Sequence, residues 1–312
     1  MSDIEIIPCA SDEVWHDLRK RDVTASAIGA LLNVHEFETP YSLYMRKVGA
    51  VLSDVEDAGP VRRGRLLEPV AVQVLREEHP EWSVTHNSGA GRAYYRDPAT
   101  RIGATPDVVV SDLARGIGVV QIKSVEASVF RRKWMVDGVA EPPVWIAVQA
   151  IVEAWLTGAR WAAVAPIVVG HGVDMPLIEI PIHEGVLDRV RAAVAEFWSR
   201  VERGEPYPPD YARDGETIAA LYGAADSGET IDLTGWNRGP EIADEDERLA
   251  GEIKDRTERR KAIKAELLDK IGAAAVATMD GRIFATAKTV SRKGYEVKPS
   301  TYRDIRFKRS AA

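Results

Sequence analysis

The sequence predicts an α/β (α+β) domain over roughly residues 1–205, with helices on either side of a small mixed central sheet. Three observations predict this class. Apolar residues recur at helical spacing in residues 65–78. Short alternating segments typical of strands follow between residues 82 and 123. A helical pattern then returns at 144–157, before a buried apolar run at 161–169. Helices before and after a set of strands indicate layers packed on a sheet.

Four helices are predicted in the N-terminal part, because each segment combines a start signal with helical spacing of apolar residues. Ser11 is an N-cap residue for the first, Thr24 or Ser26 for the second, and Pro40 occupies the first turn of the third. The four helices cover residues 11–20, 24–32, 39–48 and 65–78. On the fourth, one apolar face is predicted to contain Leu66, Leu67, Val70, Ala71, Val74 and Leu75.

The later helices and strands are predicted from the spacing of apolar residues and from the turn residues that bound each segment. Alternating or apolar runs bounded by turn residues predict short strands at 82–86, 93–96, 102–105, 107–110, 118–123, 161–169 and 177–182. Helical spacing predicts helices at 144–157, which Gly158 ends, and at 184–203.

Beyond this domain, residues 206–240 are acidic and rich in Gly and Pro, which predicts a loop-rich connector. Residues 241–312 form a C-terminal extension with a highly charged helix from 242 to 271 and a hairpin around Asp280-Gly281. The helix is either half of a helical hairpin or a coiled-coil-like arm. Eight Lys and Arg residues stand against two acidic ones in the tail 288–309, either as a solvated surface or as a phosphate-contacting tail.

Composition limits the function classes. The net charge of −7 argues against a uniformly basic nucleic-acid coat but allows DNA binding in a locally basic channel. The single Cys9 excludes an internal disulfide framework and a Cys-rich zinc site. The chain has no transmembrane run, and its N-terminus lacks the regions of a signal peptide, so we expect a cytoplasmic protein with no membrane partner.

The chemistry is predicted on two neighbouring strands. Asp107 opens one strand, and Gln121 and Lys123 lie two residues apart on the next, so their side chains share one sheet face. An acid and an acceptor on adjacent strands can converge on a divalent ion, and Mg²⁺ prefers such oxygen ligands while keeping several waters. The lysine can orient water or stabilise phosphate charge, and Glu68 on the preceding helix can complete the site. The pattern favours metal-dependent phosphodiester hydrolysis.

Four ordered stretches resemble the YqaJ-like viral recombinase family, which includes lambda exonuclease and belongs to the PD-(D/E)xK nuclease superfamily. They are Trp15–Gly29 with its Thr-Ala-Ser-Ala-Ile-Gly end, Gly64–Pro69, Thr105-Pro106-Asp107 with Gln121-Ile122-Lys123, and Gln149 before Thr157-Gly158. Together they extend over about half of the chain. The resemblance implies a restriction-endonuclease-like core.

The resemblance also implies residue roles. The implied metal ligands are Glu68, Asp107, the residue at position 121 and the backbone carbonyl of Ile122. Lys123 is implied as the catalytic lysine, and Gln149 as a support for the lysine or the DNA. Arg19 and Ser26 match positions expected to contact the terminal phosphate or the nearby backbone. Three arginines from the basic clusters that flank the catalytic segment are further candidates for DNA contact: Arg65, Arg131 and Arg132.

The activity implied is that of a phage-type, Mg²⁺-dependent 5′-3′ exonuclease on linear duplex DNA, with Mn²⁺ as a substitute. It would act in the host cytoplasm, in recombination with a single-strand annealing protein, as a homo-oligomeric ring such as a trimer. Gln121 departs from the family pattern, because a carboxylate is expected there. The alternatives are therefore a structure-specific endonuclease on the same fold, or a weakly active or non-catalytic DNA-binding assembly protein.

Each candidate also has an ordinary structural interpretation. Asp107 can be a turn residue, Glu68 can favour a helix start through the macrodipole, and Lys123 can be a surface lysine. The histidines are scattered without metal-ligand spacing, and the tryptophans, Trp145 among them, are expected in the core or at interfaces. The ordered set of residues, and no single residue, favours the nuclease.

Overall fold

The computed structural model describes residues 3–51, 59–223, 227–291, 294, 303 and 305–307. The chain divides into two compact units, Met1–Leu221 and Tyr222–Ala312. The boundary falls within the segment for which a connector was predicted. Most of the basic tail lies outside the described residues.

Seven helices and twelve strands of the described residues lie wholly in the first unit. Helices α1 to α7 are Asp12–Arg21, Ala25–Leu31, Pro40–Lys47, Gly59–Glu78, Ala127–Lys133, Val144–Thr157 and Glu184–Arg203. Strands β1 to β6 are Glu5–Pro8, Val23–Thr24, Ser83–His86, Ala93–Asp97, Ile102–Ala104 and Val108–Asp112. Strands β7 to β12 are Gly116–Glu126, Met135–Val136, Val139–Ala140, Trp161–Val169, Val173–Asp174 and Ile178–Ile180. A further helix, α8 (Gly215–Tyr222), lies in the segment predicted to be loop-rich.

The central sheet has six strands in the order β11-β10-β7-β6-β3, with β12 also paired to β10. Strands β7 and β10 are parallel, whereas β6 pairs antiparallel with both β7 and β3. A second sheet has the order β1-β4-β5-β2 and is also mixed, because β2 and β5 are parallel. Mixed sheets flanked by helices confirm the predicted α/β (α+β) class.

Alternation along β7 divides its side chains between two apolar cores. Val119 and Val125 pack in the core that contains α2, α6 and α7. Val120 and Ile122 pack in the opposite core, against α4. Gln121 and Lys123 alternate with the second pair, so they lie on the face that α6 covers. The sheet thus presents the two polar candidates to one particular helix.

The predicted apolar face of α4 was partly wrong. Leu66 and Val70 are 61% and 43% exposed, whereas Ala71, Val72 and Leu75 are buried against the sheet. At 100° per residue, the buried stripe is rotated by roughly a quarter-turn from the predicted one. The helix also begins at Gly59, six residues before the predicted start.

Helix α2 packs directly on α6, because Gly29 has no side chain. A Cβ atom at Gly29 would lie 2.6 Å from Trp145 Cβ, closer than two carbons can approach. We expect Gly29→Ala to lower the free energy of unfolding by about 1–3 kcal/mol, measured by urea denaturation. Gly64→Ala in α4 is the matched control, since its added Cβ meets nothing within 4 Å. An unchanged urea midpoint for Gly29→Ala would contradict close packing of the two helices.

The second unit contains helix α9 (Gly239–Ile271) and a hairpin of β13 (Val276–Met279) and β14 (Arg282–Thr286). Asp280 and Gly281 have φ angles of 50° and 74°, the left-handed conformation required by the tight hairpin turn. The 33-residue helix has no buried residue. In the described part of the chain, no helix is both long and apolar enough to cross a membrane.

Candidate active site

Antiparallel pairing of β6 and β7 places Asp107 beside Gln121. Asp107 immediately precedes β6, whose first residue, Val108, pairs with Val120. The carboxylate Oδ2 of Asp107 accepts a hydrogen bond from the Ile122 backbone N–H at 2.8 Å and another from Gln121 Nε2. The two strands therefore bring together the acid and the polar residue that the sequence separates by 14 positions.

The backbone before Asp107 is held by Asn87. The buried side chain of Asn87 donates from Nδ2 to the carbonyl of Pro106 at 2.9 Å, and its backbone N–H donates to the carbonyl of Asp107 at 3.0 Å. Trp15 Nε1 donates to Thr105 Oγ1 at 2.8 Å, which ties α1 to the same segment. The position of the acid is thus fixed from two sides.

Glu68 reaches the site from α4 and is held by a histidine. Its Oε1 lies 2.7 Å from His86 Nε2, and Ser88 Oγ lies 3.0 Å from His86 Nδ1. His86 is paired with Val108 across β3 and β6, so the Glu68 carboxylate is anchored next to the start of β6. Glu68 also acts on Asp107 through its charge, which raises the pKa of the aspartate.

Lys123 is the first member of a chain of hydrogen bonds into α6. Its Nζ donates to Gln149 Oε1 at 3.1 Å, and Gln149 Nε2 donates to Glu153 Oε1 at 2.8 Å. The ammonium also lies 5.7 Å from the centre of the Trp145 ring. The lysine is therefore held in one orientation on the face that carries Gln121.

Two carboxyl groups at this site have raised pKa values. Burial and then the charge of Glu68 raise the pKa of Asp107 to about 7, although Lys123 and the Ile122 N–H act in the opposite direction. Burial and then the charge of Asp107 raise the pKa of Glu153 to about 8. Carboxyl groups with pKa values shifted towards neutrality are typical of functional sites.

The donor set fits a divalent cation. Gln121 is 2% exposed, and its Oε1 accepts no hydrogen bond from the described residues. With the carboxylates of Asp107 and Glu68 and the carbonyl of Ile122, this orphaned oxygen belongs to the class of ligands that Mg²⁺ prefers. Within the described ranges, no three His, Cys, Asp or Glu side chains form a metal-binding group by themselves. Amide or carbonyl oxygens would therefore have to contribute.

Arg19 lies on α1 and Ser26 on α2, the first two helices of the chain. The Arg19 guanidinium stacks 4.5 Å from the centre of the Trp15 ring, and Arg92 stacks on the same ring at 4.6 Å. Burial lowers the pKa of Arg19, which forms no salt bridge with any described residue. Ser26 Oγ lies 3.2 Å from Thr24 Oγ1. Through Trp15 and Thr105, Arg19 is linked to the segment that carries Asp107.

The other three arginine candidates lie on α4 and α5. Arg65 is exposed on α4, three residues before Glu68. Arg131 and Arg132 are exposed in the last turn of α5. The expected contact of these three arginines with DNA stays a prediction.

Two residues of the site escaped the sequence reasoning. His86 had no predicted role, because no other histidine lies at metal-ligand spacing from it; only the pairing of β3 with β6 brings it to Glu68. Glu153 had no predicted role either. Its position four residues after Gln149 was the available signal, since residues i and i+4 share a helix face.

An acid at a strand start, a polar-x-Lys pair on the adjoining strand and a glutamate from the neighbouring helix form the arrangement that the sequence resemblance led us to expect. Residues 14–160 match the model of the YqaJ-like viral recombinase domain. This match confirms the predicted resemblance to that family.

Solved structures similar to this chain include LHK-Exo, an alkaline exonuclease from Laribacter hongkongensis. It is 18% identical, with 67% of this chain and 99% of that chain covered and a TM-score of 0.47. LHK-Exo in complex with dAMP gives the same identity and coverage with a TM-score of 0.48. The protein of a SOX–DNA complex is 10% identical, with 64% and 70% covered and a TM-score of 0.39. No curated protein matches the chain significantly.

Proposed function

We propose that this protein is a Mg²⁺-dependent deoxyribonuclease that degrades one strand of linear duplex DNA in the 5′-3′ direction, with Mn²⁺ as a substitute. The observation that carries the proposal is the convergence of Asp107, Gln121 and Lys123 across β6 and β7, with Glu68 beside them. In recombination, the exposed strand would be passed to a single-strand annealing protein. A ring of identical subunits, such as a trimer, would keep the enzyme on its DNA.

Each side chain has a task in such a reaction. Water attacks the phosphorus, the bond to the leaving oxygen breaks, and negative charge grows on the phosphate oxygens. The Lys123 ammonium, held by Gln149 at 3.1 Å, is placed to donate hydrogen bonds to those oxygens. Asp107, Glu68 and Gln121 would hold the cation, which activates water and neutralises phosphate charge when bound.

The amide at position 121 favours one alternative function. Gln121 Nε2 donates to Asp107, so the pair carries one negative charge fewer than two carboxylates would. Such a site binds a cation less strongly, which would suit a DNA-binding assembly protein with little or no cleavage. A structure-specific endonuclease on the same fold is the other alternative.

Replacing the lysine tests the proposal. We expect the wild type to degrade 5′-labelled linear duplex with Mg²⁺ and to be inactive in EDTA. Lys123→Ala should be slower by about 10²-fold or more, because it removes a donor to the developing phosphate charge. Lys20→Ala is the matched control, since Lys20 is an exposed lysine that pairs with Asp17.

The outcomes separate the alternatives. Equal activity of wild type and Lys123→Ala, or no activity in either, would rule out the mechanism. Cleavage of closed circular duplex at a similar rate would identify an endonuclease, because an exonuclease needs an end. Binding of labelled duplex without metal-dependent cleavage would favour the assembly protein. Light scattering in solution measures whether the subunits form a ring.

Arg19 provides a separate prediction about the DNA end. Its guanidinium lacks an acidic partner among the described residues, so it is available to pair with a 5′-phosphate. We expect Arg19→Ala to weaken the binding of 5′-phosphorylated duplex by about tenfold, measured by fluorescence anisotropy in Ca²⁺. Duplex with a 5′-hydroxyl should be bound equally by both proteins. A loss that is the same for both ends would contradict a role in phosphate recognition.

A further inference from the structure

Glu153 carries a buried carboxyl group in which only one of the two oxygens has a hydrogen-bond partner among the described residues. It is 1% exposed on α6, and its Oε1 accepts the bond from Gln149 Nε2. Its Oε2 is also buried and has no hydrogen-bond partner among the described residues. An unpaired buried carboxyl oxygen is destabilising, so its presence calls for a functional explanation.

Measured along the direction of β7, Glu153 on α6 lies at the same level as Gln121. The helix ends at Thr157, three residues before β10 begins at Trp161, and Trp161 pairs with Gly118 near the start of β7. Helix α6 therefore runs along β7 in the opposite direction.

The position of Glu153 along β7 follows from the rise per residue of the helix and of the strand. Gln149 is bonded to Lys123, and one turn further along α6, about 6 Å, lies Glu153. Two residues back along β7, about 7 Å, lies Gln121 on the same strand face. The two side chains thus occupy the same level between helix and sheet. The charge of Asp107, which Gln121 contacts, acts on Glu153 as well.

Both residues at this level have an oxygen without a partner. Gln121 Oε1 and Glu153 Oε2 are buried and accept no hydrogen bond from the described residues. At position 121 the family pattern has a carboxylate, and this chain has a neutral amide. We propose that Glu153 supplies, from α6, the second negative charge of the cation site that residue 121 does not supply.

A purely supporting role for Glu153 explains less. Holding Gln149, and through it Lys123, requires one acceptor oxygen, and an uncharged glutamine at 153 would provide it equally well. A supporting role requires neither the second oxygen nor the carboxyl charge, although burying both of them away from water is energetically unfavourable. Binding of a divalent cation requires both, because the oxygen is a ligand and the cation offsets the buried charge.

The test is a charge swap read by metal binding in the absence of DNA. Mn²⁺ affinity of the full chain is measured by electron paramagnetic resonance of the free ion. We expect Glu153→Gln to weaken the affinity by about tenfold or more, while the Gln149 hydrogen bond is preserved. The double variant Gln121→Glu with Glu153→Gln moves the charge to the strand and should recover affinity to within about threefold of the wild type. Glu202→Gln, an exposed glutamate on α7, is the matched control.

Three results would overturn the proposed role of Glu153. Unchanged Mn²⁺ affinity in Glu153→Gln, no recovery in the double variant, or no Mn²⁺ binding by the wild type overturns the inference. A folding defect is recognised by near-ultraviolet circular dichroism. If Glu153→Gln alone does not fold, Gln121→Glu alone should still raise the affinity.

Because the cation belongs to the proposed nuclease function, cleavage is measured separately. Loss of Mn²⁺ binding in Glu153→Gln, together with a wild type that never cleaves DNA, would reject the nuclease and keep the role of Glu153. Slower cleavage by Glu153→Gln at unchanged Mn²⁺ affinity would instead make it a positioning residue for Lys123.

Discussion

Asp107→Asn should reduce cleavage of linear duplex by more than about 10³-fold and weaken Mn²⁺ binding in parallel. Asparagine has the same size, and its Oδ1 can still accept the hydrogen bonds from the Ile122 N–H and Gln121 Nε2 that now reach Asp107 Oδ2. The fold is therefore preserved, and the change removes one negative charge. Because Gln121 is neutral, Asp107→Asn leaves the pair of residues 107 and 121 without any negative charge.

Asp112→Asn is the matched control on the same strand. Asp112 lies at the other end of β6, where it accepts hydrogen bonds from Ala114 N at 2.8 Å and Trp82 Nε1 at 3.1 Å. We expect this variant to lower stability without changing Mn²⁺ affinity. Retained cleavage by Asp107→Asn, with activity measured on end-labelled duplex, would remove Asp107 from the catalytic group.

The part of the site formed by one hairpin was predictable from the sequence. Asp107, Gln121 and Lys123 lie on consecutive strands, so antiparallel pairing and alternation alone bring their side chains together. Gln149 was predicted from the ordered family pattern instead. The convergence of the hairpin residues needs only local geometry, which the sequence specifies through its hydrophobic period.

The contact of Glu68 with His86 and the position of Glu153 depend on long-range packing. Glu68 and His86 meet only because α4 and β3 both pack beside β6, and no period in the sequence reports this contact. In the sequence, Glu153 is one polar residue in a mostly apolar helix, and only the packing of α6 on β7 shows that it lies near Gln121. Residues from separate elements come together through tertiary structure, which a single sequence does not specify.

The same distinction holds for the fold. The bounds of α6, β10 and α7 were predicted to the residue, because these long elements are strongly periodic and glycines end both helices. The second sheet was not predicted. Its edge strand β1 is four residues long and pairs with β4, which begins at Ala93. The short helices α5 and α8 were missed for a related reason, since few turns leave little periodic signal.

Metal-free protein should lose stability as the pH rises from 6 to 9, and Glu153→Gln should lose less. Burial raises the pKa of Glu153 from an ordinary value of 4.5 to about 8, so the folded state keeps a proton that the unfolded chain releases. This stabilisation is fully present below pH 4.5 and disappears as the pH passes about 8. Glutamine mimics the protonated form at every pH, so the variant should be more stable than the wild type at pH 9, by about 2–4 kcal/mol.

Urea denaturation in EDTA at both pH values measures the difference. Asp107, whose pKa burial raises to about 7, contributes in the same direction in both proteins, so the difference between them reports Glu153 together with its charge coupling to Asp107. Glu202→Gln should follow the wild type at both pH values. Parallel curves for wild type and Glu153→Gln would mean that Glu153 is not buried as a carboxyl group. Mn²⁺ added at pH 9 should stabilise the wild type more than the variant, because a cation that binds only the folded state compensates for the buried charge.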